Sequence, residues 1–126
     1  MKKIILLTLI ILPKLAFCAW TEIGFNQELN LTIYANFDQI KIDKNYKFVE
    51  SLYNYKTVNS EFNKPHLSEL EFNEFDCQKK LVRSPKIIWY TGQKATGRKA
   101  WETENKSWRP IPRNSAYWEI SEKICS

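Results

Sequence analysis

Period-two alternation of apolar and polar residues runs through most of this chain and predicts a β-sheet. Trp20 to Gly24 alternates weakly, whereas Leu29, Leu31, Ile33 and Ala35 alternate cleanly with Asn30, Thr32 and Tyr34; Ile40 with Ile42 makes a short third run. Asp43-Lys44-Asn45 then reads as a hairpin turn, since Asn tolerates the left-handed backbone such loops need. Tyr46 to Val58, dense in aromatic and β-branched residues, predicts a long strand. Asn59 to Pro65 predicts an exposed loop. Strand pattern returns over Leu67–Cys77 and Leu81–Thr91, where Pro85 lacks a ladder donor and points to an edge or an irregular start. Gly92 and Gly97 bracket a polar connection, and Lys99 to Thr103 is expected to be the last strand. Two prolines exclude helix from Asn105 to Pro112, an extended segment in which Trp108 is expected to plug the core.

Two departures from simple alternation matter. Leu70 and Phe72 share one parity, Phe75 and Cys77 the other, so either a bulge near Asn73-Glu74 resets the phase or both faces of the strand are covered; the bulge is the favoured expectation. At the tail the period changes to that of a helix. Ala116, Tyr117, Trp118, Ile120, Ile124 and Cys125 fall on one arc, with Glu119, Glu122 and Lys123 opposite. Asn114 or Ser115 can cap this helix, and Lys123 suits its negative end. At about three turns it is too short to hold alone in water, so tertiary contacts must hold it.

The N-terminus changes the picture of composition. Lys2 and Lys3, the uncharged apolar run Ile4 to Leu12 and a small-residue exit from Leu15 to Ala19 have the layout of a secretory signal peptide over residues 1–18. Pro13 and Lys14 interrupt the run before it could span a bilayer, and no transmembrane segment is expected in the mature chain. Ala16 and Cys18 favour cleavage after Cys18, with cleavage after Ala19 the alternative. Lipidation of Cys18 is less favoured, because Phe17 sits badly beside such a cysteine. Loss of Lys2, Lys3 and Lys14 lowers the net charge from +5 to +2. Residues 20–126 then suffice for one domain with one core.

In an exported chain the two remaining cysteines, Cys77 and Cys125, form an even pair and most simply one bridge, against the alternative of two free buried thiols. A bridge closing a loop of about 48 residues is worth about 4 kcal/mol in the chain-entropy view, and it would hold the tail helix against the sheet. The expected class is therefore α+β: an antiparallel sheet of about six strands, with one C-terminal helix packed on it and tethered by the disulfide.

Charge is unevenly distributed. Thr21 through Gln78 carries ten acids against five lysines, and Lys79 through Arg113 carries ten bases against Glu102 and Glu104. Neighbouring strands whose charges pair at the solvent face would account for this; an anion-attracting patch is the sharper reading. The candidate binding residues are Lys79, Lys80, Arg83, Lys86, Lys94, Arg98, Lys99, Trp101 and Arg109, with Lys106, Arg113, Trp89, Tyr90 and Trp108 interleaved. Cations attract a polyanion and rings stack on its sugars. For an exported chain that means acidic polysaccharide or host protein surfaces rather than nucleic acid. Catalysis finds little support. His66, the single histidine, sits beside Pro65 in a turn-like stretch and is expected to be exposed. Bridged cysteines leave no Cys–His pair, and Glu69 with Glu71 reads as ordinary solvent-side alternation. No enzyme activity, cofactor or metal is expected.

Trp20, Tyr55-Lys56, Ser68, Glu74-Phe75-Asp76-Cys77, Tyr90 with Gly92, Trp108, Ile111-Pro112, Ser115 and the terminal Cys125 occur in an order that resembles the bacterial surface-adhesin protein E family along nearly the whole mature chain. The resemblance implies a sheet packed on a C-terminal helix with both cysteines joined, in a Gram-negative envelope protein that binds host matrix or plasma proteins. The chain departs from the family at Cys18, with its poor lipidation context, and at Pro112-Arg113-Asn114-Ser115, which lacks a glycine before the helix and is one residue longer. Two readings follow: an adhesin-like binding module, or a soluble periplasmic accessory protein without an adhesive role.

Overall fold

In a computed structural model describing residues 19–60 and 63–126, seven strands form one antiparallel sheet. They are β1 (Thr21–Asn26), β2 (Leu31–Ala35), β3 (Lys41–Asp43), β4 (Tyr46–Asn59), β5 (His66–Asp76), β6 (Leu81–Tyr90) and β7 (Lys99–Pro110). The order is β1-β2-β4-β5-β6-β7, with β3 also paired to β4. Helix α1 (Ala116–Ile124) follows. The expected leader and its cleavage points up to Cys18 lie outside the described residues, as do two positions of the expected Asn59–Pro65 loop.

Helix α1 covers one face of the sheet. Ile120 and Ile124 pack with Ala35 of β2, Val49 of β4, Phe75 of β5, Val82 of β6 and Ile111, and Phe75 is 0 % exposed. Burying a phenylalanine ring in this way contributes about 3 kcal/mol. Ser115 caps the helix by accepting the Trp118 N–H at 3.2 Å, while its own hydroxyl donates to the Pro112 carbonyl at 2.6 Å. Before the cap, Asn114 takes φ +61°, a left-handed conformation that Asn adopts more readily than most residues. At the other end the ammonium of Lys47 donates to the Ile124 carbonyl, so a cation from β4 meets the helix's negative end. Lys123 instead lies over the Phe37 ring at 5.1 Å.

The bridge joins Cys77, in the β5–β6 turn, to Cys125 directly after the helix. Each residue of Glu74-Phe75-Asp76-Cys77 has a separate task. Glu74 accepts from Arg83 at 2.6 Å, Phe75 fills the core, Asp76 accepts the Lys79 N–H at 3.0 Å to close the turn, and Cys77 ties down the tail.

Several expectations change. The parity break in β5 is not reset within the strand: Phe75 lies under the helix, Leu70 and Phe72 are half-buried on the opposite face, and β5 pairs with β4 in unbroken register from Asp76 to Ser68. The extra residue falls in β6, where Glu74 pairs with Arg83 but Phe72 with Lys86. That bulge contains Pro85, whose missing N–H makes an irregular ladder the low-cost arrangement inside a sheet. Strand β7 runs on through Pro110, absorbing most of the segment expected to be merely extended. A second bulge in it lies between Asn105 and Arg109, and because Arg109 pairs with Val82 of the core, the preceding Trp108 falls on the opposite face, outside the core. Its ring is half-buried, with the Arg83 guanidinium 4.4 Å from it and Tyr46 5.2 Å away. In the β3–β4 turn the positive φ belongs to Lys44, not Asn45.

Cys125→Ser should lower stability by about 4 kcal/mol, read as a drop in the denaturant midpoint. Phe75→Ala should cost about 3–5 kcal/mol with the bridge intact, so the two can be ranked in one titration series.

Candidate functional site

Alternation in the strands divides their side chains between two faces, one under the helix and one open. On the helix side lies a buried polar chain. Asn73 donates to Ser51 at 2.8 Å and accepts from Ser84 at 2.8 Å, and Arg109 donates to Ser84 at 3.3 Å while its guanidinium stands 5.1 Å from the Tyr117 ring. The Tyr117 hydroxyl donates to Glu71 at 2.8 Å. Glu71 is 5 % exposed, so the expectation that Glu69 and Glu71 alternate on the solvent side is corrected: register puts both on the face toward the helix. Burial pushes the Glu71 carboxyl above the ordinary glutamate range, against the opposing pull of the Tyr117 hydroxyl and Arg109. Burial and the Glu71 charge likewise raise Tyr53 and Tyr117. The helix closes this network from solvent, and what it does is fix the helix on the sheet.

His66 is also buried, at 1 % exposed, which corrects its expected exposure. Its Nδ1 lies 2.6 Å from the Lys64 carbonyl, and its ring lies edge-on to Tyr55 and Trp89, at 5.4 and 6.0 Å. Among the described residues no cluster of His, Cys, Asp or Glu is arranged to hold a metal ion, and no helix is long and apolar enough to cross a membrane.

The basic run is distributed over four places. Lys79 and Lys80 are exposed in the β5–β6 turn. Arg83, Lys86 and Lys99 lie on the open face, where Arg83 pairs with Glu74 at 2.6 Å and one carboxylate, Glu102, serves both Lys99 and, at 3.6 Å, Lys86. Arg109 faces the helix. Lys94 and Arg98 are exposed on the connection between β6 and β7, with Trp101 close by on β7. Of the expected cross-strand charge pairing, Glu74–Arg83 joins the acidic half to the basic half, whereas Lys86, Lys99 and Lys106 pair with Glu102 and Glu104 of their own half.

At that β6–β7 end the parts of a binding surface come together. Trp101 stacks on Trp89 with centroids 4.7 Å apart and planes 17° apart, and the Lys64 ammonium lies 5.9 Å from the Trp101 ring. Trp89 is buried and Trp101 half-exposed, so the inner indole supports the outer one. The adjoining loop is built to keep its shape. Ser68 donates to the Gly92 carbonyl at 2.6 Å and accepts the Ala95 N–H at 2.9 Å; Asn54 accepts the Lys94 N–H at 2.7 Å; Gln93 donates to the Tyr55 carbonyl at 3.1 Å. A side chain at position 92 would meet Thr96 at 2.6 Å, and Gly97 takes φ +80°, so both glycines are required. Lys64 was absent from the expected set, because it precedes the basic run by fifteen residues and joins it only through the fold.

A family model described as surface-adhesin protein E matches residues 20–126. Among solved structures, crystal form II of Haemophilus influenzae protein E is 11% identical with a TM-score of 0.64, covering 85% of this chain and 87% of that one. Another structure of Haemophilus influenzae protein E is 12% identical with a TM-score of 0.63, over 85% and 83%. Protein E from non-typeable Haemophilus influenzae is 12% identical with a TM-score of 0.53, over 90% and 79%. At these identities the likeness is one of fold. No curated protein sequence matches the chain.

Because the folded state holds the Glu71 proton more tightly than the unfolded chain does, stability should be greatest below the unfolded glutamate range and fall as pH rises through the window up to the raised folded value. Glu71→Gln should remove that decline in denaturant titrations run from acid to mildly alkaline pH. Tyr117→Phe should cost about 1–3 kcal/mol at neutral pH by leaving the buried carboxylate without its donor.

Proposed function

This chain belongs to the surface-adhesin protein E family, and on that premise we propose that the mature protein is an exported, non-enzymatic binding module of the Gram-negative cell envelope. It attaches to host matrix or plasma proteins, or to acidic polysaccharide, through the β6–β7 end of the sheet. The observation that carries this reading is the supported Trp101 indole with Lys64 over its ring and Lys94 and Arg98 on the rigid loop beside it. A preformed aromatic platform loses little conformational freedom on binding, and nearby cations raise the local concentration of a polyanion. Export rests on the leader over residues 1–18, with release after Cys18 or Ala19 and a soluble rather than lipid-anchored product.

Immobilised mature protein should capture heparin and purified matrix protein at low salt, with capture falling as salt rises. Trp101→Ala, or Lys64→Glu with Arg98→Glu, should reduce capture about tenfold, since a stacked ring and a pair of charges are each worth roughly 1–2 kcal/mol at a binding surface. Capture indifferent to these changes sinks the assignment. Intact mass of the processed protein tests export: an N-terminus at Ala19 or Trp20 agrees with it, and an acylated Cys18 replaces the soluble form with an anchored one.

A further inference from the structure

The Lys64 ammonium over Trp101 and the Trp89 indole stacked on it come from different segments of the chain, and one buried side chain touches both segments. His66 opens β5, where it pairs with Asn59 of β4. Pro65 before it has a fixed φ and restricts Lys64 to extended backbone, so the chain enters the strand with the Lys64 carbonyl two residues behind the imidazole. The ring turns back to that carbonyl, with Nδ1 2.6 Å from the oxygen. A carbonyl only accepts, so Nδ1 carries the proton of this bond. Nε2 is buried and has no hydrogen-bond partner among the described residues. A substitution that restores the Nδ1 donor therefore restores what the ring gives Lys64.

The same ring packs on both neighbouring strands. It lies edge-on to Tyr55 of β4 at 5.4 Å and to Trp89 of β6 at 6.0 Å, with planes 60° apart in the second contact. Trp89 in turn stacks on Trp101. At 1 % exposed, His66 is closed to any ligand, so its contribution passes through Lys64 and Trp89. Such support has a physical use. Lysine has a long side chain whose freedom opposes holding its ammonium in one place, and fixing the backbone that carries it removes part of that cost before a ligand arrives. An outer indole likewise keeps its pose only while the inner one stays in place.

We propose that His66, the one histidine of the chain, is a positioning residue for the β6–β7 surface, a role that rests on the reading of that surface as the binding site. Its Nδ1–H holds Lys64, and its ring holds Trp89 against Trp101. Cation and ring thus share one buried anchor.

Two substitutions separate these contacts. His66→Phe keeps a ring and loses the donor. His66→Asn loses the ring and keeps a donor, since its Nδ2 is as many bonds from the backbone as Nδ1. The first contact is tested by a double-mutant cycle on heparin capture at low salt. Lys64→Ala should weaken capture about threefold in the unaltered protein, as for one exposed cation. It should cost the same beside His66→Asn and have little further effect beside His66→Phe. The second contact is read without a ligand: the stacked pair Trp89–Trp101 gives coupled circular-dichroism bands of opposite sign, identified by their loss in Trp101→Ala. These bands should lose most of their intensity in His66→Asn and persist in His66→Phe. His66→Leu, which lacks both donor and ring, stands in for either variant that does not fold. A Lys64 cost undiminished beside His66→Phe, or bands that survive His66→Asn, overturns the proposal. If the unaltered protein captures no heparin, the assignment of the surface fails, while the optical bands still decide the role of the ring.

Discussion

A nine-residue helix has too few internal hydrogen bonds to persist in water, yet α1 supplies the cover for the apolar face on which Phe75, Val49 and Val82 lie. The whole domain depends on keeping that helix in place. Four attachments do it: burial of Ile120 and Ile124, the Cys77–Cys125 bridge, the hydrogen bond from Tyr117 to Glu71, and the Lys47 ammonium at the Ile124 carbonyl. They differ in kind. The bridge acts chiefly by restricting the unfolded chain, burial acts through water, and the two polar contacts set orientation. Burial of Glu71 carries an unfavourable desolvation term, which its hydrogen bond from Tyr117 and the nearby Arg109 offset.

With the helix committed to one face, the other remains available. An antiparallel sheet can leave a face toward solvent when side chains there cover one another, and here Phe48, Phe72, Tyr46 and Trp108 share that face with Arg83, Lys86 and Lys99. Leu52 and Ile88 on the same face are nonetheless buried, so the surface is structured rather than simply polar. The bulge in β6 admits Pro85 to this surface, and alternation along β7 sets Trp108 on it beside Arg83.

Local pattern carried the strand windows, the helix, its cap at Ser115 and the pairing of Cys77 with Cys125, because side-chain period and cysteine number act over short stretches or by simple parity. It failed at Trp108, His66 and Glu71. Each failure has one cause: burial depends on what another element places overhead. Trp108 was expected to plug the core, and the pairing of Arg109 with Val82 sends the residue before it to the other face. His66 looked like a loop residue, and Tyr55 and Trp89, from two other strands, enclose it. Glu71 matched solvent-side alternation until the helix covered that side.

The candidate sites divide along the same line. That the chain carries cations and aromatics in its second half is a property of sequence, as is the order of residues that resembles the adhesin family. Which of them act together is not, because strand alternation sends successive residues to opposite faces and a ten-residue strand separates its two ends by about 33 Å. Lys79 and Lys94 thus belong to different ends of the molecule, while Lys64 and Trp101, thirty-seven positions apart in the chain, meet. Composition and period set the class of fold and the bridge; register, bulges and the seat of the helix decided which side chains share a surface, since those follow from pairing between distant segments.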